Sequence, residues 1–240
     1  DILNIRDGVT TTNATTISGF ETIRFGQGAA ITAATNFNAT NVSDVELYDL
    51  VDTNGAGTIN LNNLRATENV QINSDNTNGT DVVADVTLAA ANPTTGSQIN
   101  VNFAANTTGG GVNANFWGLG VANLNVQDFS TIALDMGGIA GDSYDYDFNL
   151  NTLANPTSGN VNARTLEITG GQFDAGLAFL DSVTLNQLDT ALTTVDFSGY
   201  NGNFITDGWN STTGSNAEVI VNEFGMQFDI GGVNTLFTVT

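Results

Sequence analysis

LDSVTLNQLDTALTTVDFSG (residues 180–199) decides the fold, because it carries one phrase twice, twelve residues apart. Leu180, Val183 and Leu185 of LDSVTLNQ align with Leu192, Val195 and Phe197 of LTTVDFSG. In each copy the last two apolar residues are two apart, so both point to one face of a strand. The first apolar residue enters that face from the preceding turn. The spacing returns at Phe20/Ile23/Phe25, Val42/Val45/Leu47, Val83/Val86/Leu88, Val121/Leu124/Val126 and Phe129/Ile132/Leu134. Degenerate copies lie at Val70/Ile72 and Leu166/Ile168. Stacked copies would build a continuous apolar column, which is the logic of a solenoid. The spacing alone suits a β-sandwich as well. The copies start at uneven intervals, and those at 121 and 129 are too close to be separate coils, so a regular short-period β-helix is excluded.

Outward from these phrases the same texture continues. Short alternating runs such as Ile99–Val101–Phe103 are bounded by turn clusters such as Asn201-Gly-Asn, which reads as all-β. Only Gln172 to Leu180 reads as a short helix or helical turn. Asn, Thr and Gly dominate the polar residues, a mixture that favours strands joined by tight turns. The reading divides the chain into a body over 1–205 and a terminal strand or capping segment over 206–240, continuous with the body or separate from it. The opening DILNI reads like the middle of a repeat.

Charge narrows the function. The 240 residues hold 25 acids and four arginines, for a net charge of −21. Nucleic acid and anionic lipid both require Lys or Arg to displace counterions, so neither is an expected partner. No run approaches the apolar length of a transmembrane helix. With no His, Cys or Lys, His-based triads, thiol nucleophiles, Schiff bases, zinc sites with nitrogen or sulfur ligands and the phosphate-binding P-loop are all excluded. Paired carboxylates such as Asp145/Asp147 or Asp128/Asp135 are the only common acid–base route left. An acidic chain supplies such pairs freely, and no enzymatic activity is expected. Trp117 and Trp209 could stack on a sugar, which keeps a carbohydrate-binding β-sandwich module as the alternative.

Calcium is the expected ligand, because it takes six to eight oxygens from carboxylates, carbonyls and Asn side chains. Three places concentrate such oxygens beside flexible glycine or on one strand. Asp49, Asp52 and Asn54 precede Gly55. Asp75, Asn76, Asn78 and Asp81 surround Gly79. Asp142, Asp145 and Asp147 form a run. None matches the twelve-residue EF-hand loop.

ISGFETIRF (17–25), VSDVELYDL (42–50), RTLEITGG (164–171) and LDSVTLNQLDTALTTVDFSGYNG (180–202) resemble repeats of large surface-layer proteins and related exoproteins of Gram-negative bacteria. Those are the acidic, Cys-free, RTX-type proteins exported by type I systems. The resemblance covers about 17–50 and 160–205. It implies an irregular parallel β-solenoid of the right-handed β-helix type in an extracellular surface layer or adhesin. Its implied partners are copies of itself and cell-surface polysaccharide or lipopolysaccharide. The family's calcium nonapeptide, G-G-x-G-x-D, is not completed here. Gly109-Gly-Gly-Val-Asn and Gly137-Gly-Ile-Ala-Gly-Asp142 come nearest.

Overall fold

A computed structural model describes residues 1–26, 31–51, 57–74, 80–83, 85–91, 96–105, 117–121, 123–137, 147–151, 163–170, 182–187, 192–200, 204–207, 218–221, 227–228 and 236–239. Among them there are strands and no helix, and thus no helix long and apolar enough to cross a membrane. The expected helical turn at 172–180 lies outside the described residues.

Two parallel sheets take almost all the strands. One runs β1(Ile2–Ile5), β2(Thr22–Phe25), β4(Leu47–Val51), β6(Thr67–Ser74), β9(Gln98–Ala105), β12(Thr131–Asp135), β14(Thr165–Thr169), β16(Thr194–Phe197), β18(Glu218–Val221), β20(Leu236–Val239). The other runs β3(Thr35–Asn38), β5(Ile59–Leu64), β8(Val86–Ala90), β11(Asn123–Gln127), β13(Asp147–Asn151), β15(Ser182–Gln187), β17(Phe204–Asp207), β19(Gln227–Phe228). From β2 onward the chain alternates between them, apart from β7(Thr80–Val83) and β10(Trp117–Val121), which pair with each other. A parallel pair needs a long crossover to bring the chain back, and here a strand of the opposite sheet lies within it. Sandwich domains of the immunoglobulin kind pair their strands antiparallel, whereas every described strand pairing here is parallel. Strands from the 206–240 segment add to the same two sheets.

The register turns the repeated phrase into columns. In the first sheet Leu3, Ile23, Tyr48, Val70, Val101, Leu134 and Ile168 are successive partners. A second column runs Ile99, Ile132, Leu166, Val195, Val219, Phe237. The opposite sheet stacks Ile59, Val86, Leu124, Leu150 and Leu185. Both sheets contribute to one core, and they meet where the Phe37 ring stands edge-on to Phe25 at 5.4 Å and to Tyr48 at 6.1 Å. Each fully buried side chain of this size contributes about 1.5–3 kcal/mol, so the columns are the main source of stability. Burial pushes the Tyr48 phenol well above its ordinary pKa, with the Glu68 charge adding to the rise.

The twin phrases at 180 and 192 fall on opposite sheets, in β15 and β16. So do the crowded copies at 121 and 129, in β11 and β12. Each copy of the phrase therefore marks a strand and not a whole coil, and neighbouring copies can fall on opposite sheets. Coil length varies with the loops: 18 residues separate the partners Val219 and Phe237, and 34 separate Leu134 and Ile168. At Val42/Val45/Leu47 the apolar phrase sits three residues further on than its spacing suggests. Val45, Tyr48 and Leu50 are the buried set, while Leu47 is half-buried on the other face.

Corners have their own chemistry. Gly19, Asp44 and Asp128 adopt positive φ (78°, 67° and 66°) immediately before Phe20, Val45 and Phe129, the first apolar residue of each phrase. At the far end of the first sheet, Gly137 and Gly170 (φ 64° and 73°) turn the chain away. A Cβ on Gly137 would lie 2.4 Å from the Phe103 carbonyl oxygen, so the coils approach too closely there for any other residue.

Candidate functional site

Of the residues proposed as calcium ligands, Asp52, Asn54, Asp75, Asn78, Asp142 and Asp145 lie outside the described residues. Asp81 lies in β7, and Asp147 opens β13 in register with Ser182. Asp49 is fully placed. It occupies β4 between the inward-facing Tyr48 and Leu50, so it belongs to the outer face, yet only 2% of it is exposed. Arg24, its register partner on β2, donates from Nε to Asp49 Oδ2 at 2.7 Å. Asp49 Oδ1 is buried without a hydrogen-bond partner. Arg24 thus supplies the positive charge that a cation would bring to this carboxylate. Among the described residues no three acidic side chains converge as a metal group.

The other acids follow a pattern that spacing alone does not reveal. Asp7 clasps the next coil: its Oδ1 accepts from the backbone N–H of Thr32 (3.1 Å) and Ala33 (2.8 Å), and its Oδ2 from the Thr32 hydroxyl (2.7 Å). The Thr32 hydroxyl bond first, then the Ala33 N–H, holds the Asp7 carboxyl below its ordinary pKa. Asp44 reaches back to the previous coil, accepting from Gly19 N–H at 3.3 Å. Glu68 stands on β6 in register with Ile99, at a position the stacked strands fill with Ile132, Leu166 and Val195. Only 2% of it is exposed, and Arg65 holds it from Nε at 2.7 Å, from Nη2 at 3.1 Å and from its own backbone N–H at 3.2 Å. Arg65 Nη2 also donates to the Val45 carbonyl. Asp128 lacks such a partner. Its Oδ1 is buried and unbonded, and burial raises its pKa.

The two outer faces differ in charge. On the first sheet Glu167 and Asp196 are direct register partners, with exposed Asp135 two residues along on the neighbouring β12. Like charges directly opposite one another are destabilising. On the second sheet the central outer row reads Asn36, Asn60, Thr87, Asn125, Asn151. Asn60 Nδ2 donates to Asn36 Oδ1 at 2.9 Å, and on the first sheet Asn100 Nδ2 donates in the same way to Asn69 Oδ1 at 3.0 Å. An in-register parallel stack sets like residues face to face, and a neutral amide is both donor and acceptor, so Asn suits such a row where a charge does not. Asp85, at its border, accepts from Asn123 Nδ2 at 2.6 Å, and Asp147 opens β13 of the same sheet.

Compared with family models, curated proteins and solved structures, the chain matches none of them.

Proposed function

We propose that this chain is a structural segment of an extracellular bacterial surface layer or adhesin, an irregular right-handed parallel β-solenoid that assembles with copies of itself and binds calcium through its acidic loops. The observation that carries the reading is the in-register stacking of apolar columns over successive coils. Such a stack gives stiffness along one axis and makes each coil depend on its neighbours. Right-handedness is supported by the strong general preference of parallel crossovers for that hand.

Charge supports the calcium part. Two of the four arginines are consumed inside the chain, Arg24 by Asp49 and Arg65 by Glu68. Subtracting those two pairs from 25 acids and four arginines leaves 23 acids facing Arg6 and Arg164. A surface so unbalanced repels itself, and bound divalent cations relieve that repulsion. The proposal assigns no catalysis, since the chain lacks His, Cys and Lys.

Electron microscopy of the purified chain with calcium and with chelator tests the reading. Ordered sheets or fibres in calcium and dispersed particles in chelator are expected. Isolated single particles under both conditions would remove it. On a glycan array, a lattice segment shows no defined affinity, whereas a sharp glycan preference would favour a binding module.

A further inference from the structure

We infer that copies of this chain join end to end, with the free edge of β20 in one copy lying parallel to the free edge of β1 in the next. The inference rests on the self-assembly reading and names the contact that carries it. Its first ground is the edge itself. Among the described residues β1 pairs only with β2 and β20 only with β18, so the first sheet is open at both ends. The carbonyls of Asp1 and Ile5 accept from the N–H of Thr22 and Gly26 on the next coil. Alternate residues of a strand bond to opposite sides, so the N–H and C=O of Ile2 and Asn4 face the open edge. The core is open at this end too. Of the half-buried apolar residues packed against it, Leu3, Val9 and Ile17 belong to the first coil, and Val42 pairs with Ile17. Ile2, on the edge strand, is 49% exposed.

The second ground is that the two ends are already halves of one contact. Along the first sheet every coil binds the next through this same pair of edges, from β1 and β2 to β18 and β20. The edge takes a coil of the same polarity, and in a solution of this chain the coil on offer is the last one of a second copy. Setting Leu236–Val239 beside Ile2–Ile5 in the same direction places Phe237 by Leu3 and Val239 by Ile5. All four hold column positions, since their register partners are Val219, Ile23, Val221 and Phe25. A slip by one residue would break both columns. Charge singles out the same two strands. ILNI and LFTV carry none, whereas every strand between them in this sheet except β9 carries an acid or an arginine. Nor do they hold the Lys, Pro or bulge with which exposed edges are blunted. Asp1 precedes β1 while Arg6 and Asp7 follow it, and the Thr32 hydroxyl turns Asp7 towards the second coil. Strand addition of this kind draws its affinity from main-chain hydrogen bonds. Joining unlike edges leaves one edge free at each end, so the product is an open fibre.

Sedimentation velocity of the whole chain in calcium, from micromolar to millimolar protein, tests this. The wild type is expected to form chains that lengthen with concentration. Asn4→Pro removes an N–H that faces the open edge of β1 and no bond within the chain. Column residues bond to the following coil, as Ile5 does to Gly26, so Val239→Pro does the same at the open edge of β20. Each variant alone is expected to associate roughly tenfold more weakly, with circular dichroism melting to confirm that it is folded. An equimolar mixture of the two is expected to recover dimers and nothing larger, because one intact edge of each kind remains. Assembly retained in both variants would overturn this contact and leave self-assembly intact. Loss in one variant alone would overturn it too, since that end would then be meeting its own copy. No recovery in the mixture would likewise count against it. A wild type monomeric throughout would overturn the self-assembly reading itself.

Discussion

Gly170 and Gly137 stand on successive coils so close that a Cβ on Gly170 would lie 2.6 Å from the Gly137 carbonyl oxygen. Both also hold positive φ. Two penalties therefore fall on any substitution, one from the left-handed backbone and one from the neighbouring coil. Gly170→Ala is expected to cost about 2–4 kcal/mol in denaturant unfolding. Gly19 isolates the first penalty, since its φ is 78° but nothing lies within 4 Å of its Cβ position. Gly19→Ala should cost only about 1 kcal/mol. Equal costs at the two sites would show that the coils are not packed this tightly.

Glu68 and Arg65 give a second prediction. Removing Arg65 as Arg65→Ala leaves a buried carboxylate uncompensated. The cost is expected at about 2–3 kcal/mol, below that of a fully buried pair because the Arg65 side chain is half-exposed. Replacing both partners, as Glu68→Ile/Arg65→Met, restores the apolar column and is expected to be neutral or stabilising by about 1 kcal/mol. A double variant as unstable as the single one would mean that the pair specifies the corner and not merely its charge balance.

Stability should respond to acid in two opposite ways. The Asp7 carboxyl is lowered in the folded state, so its contribution is complete above its unfolded pKa and is lost as pH falls through the folded one. Asp128 is raised by burial, so its ionised form opposes folding, and protonation relieves that opposition as pH falls through the raised value. Asp128→Asn, which tolerates the positive φ, is expected to raise the melting temperature by on the order of 1–2 °C at neutral pH. The gain should vanish in acid. Asp7→Asn should lower melting at neutral pH and converge with wild type in acid. Parallel melting curves across the whole pH range would contradict both assignments.

Apolar spacing made the strand faces legible because inward residues two apart leave a direct mark, as at Ile132/Leu134 and Val195/Phe197. It could not say which sheet each strand joins. Loop length sets that, and loops carry no apolar signal, so the twin phrases at 180 and 192 look like successive coils but lie on opposite sheets. The slip from Leu47 to Tyr48 and Leu50 has a similar cause. VSDVELYDL contains the spacing in two frames, and the positive φ of Asp44 selects the later one. Asp49 was legible as an oxygen donor but not as the partner of Arg24, which lies 25 residues away and meets it only through register.

Calcium dependence is the central claim, and melting with light scattering in calcium, magnesium and sodium at equal ionic strength tests it most directly. A single site contributes only about 0.4 kcal/mol when the ion concentration equals its Kd, so a clear effect requires tighter or multiple sites. The account predicts that calcium raises the melting temperature by a few degrees and increases scattering, with magnesium and sodium well behind. Screening alone would act alike in all three salts. Superimposable curves in the three would contradict the account.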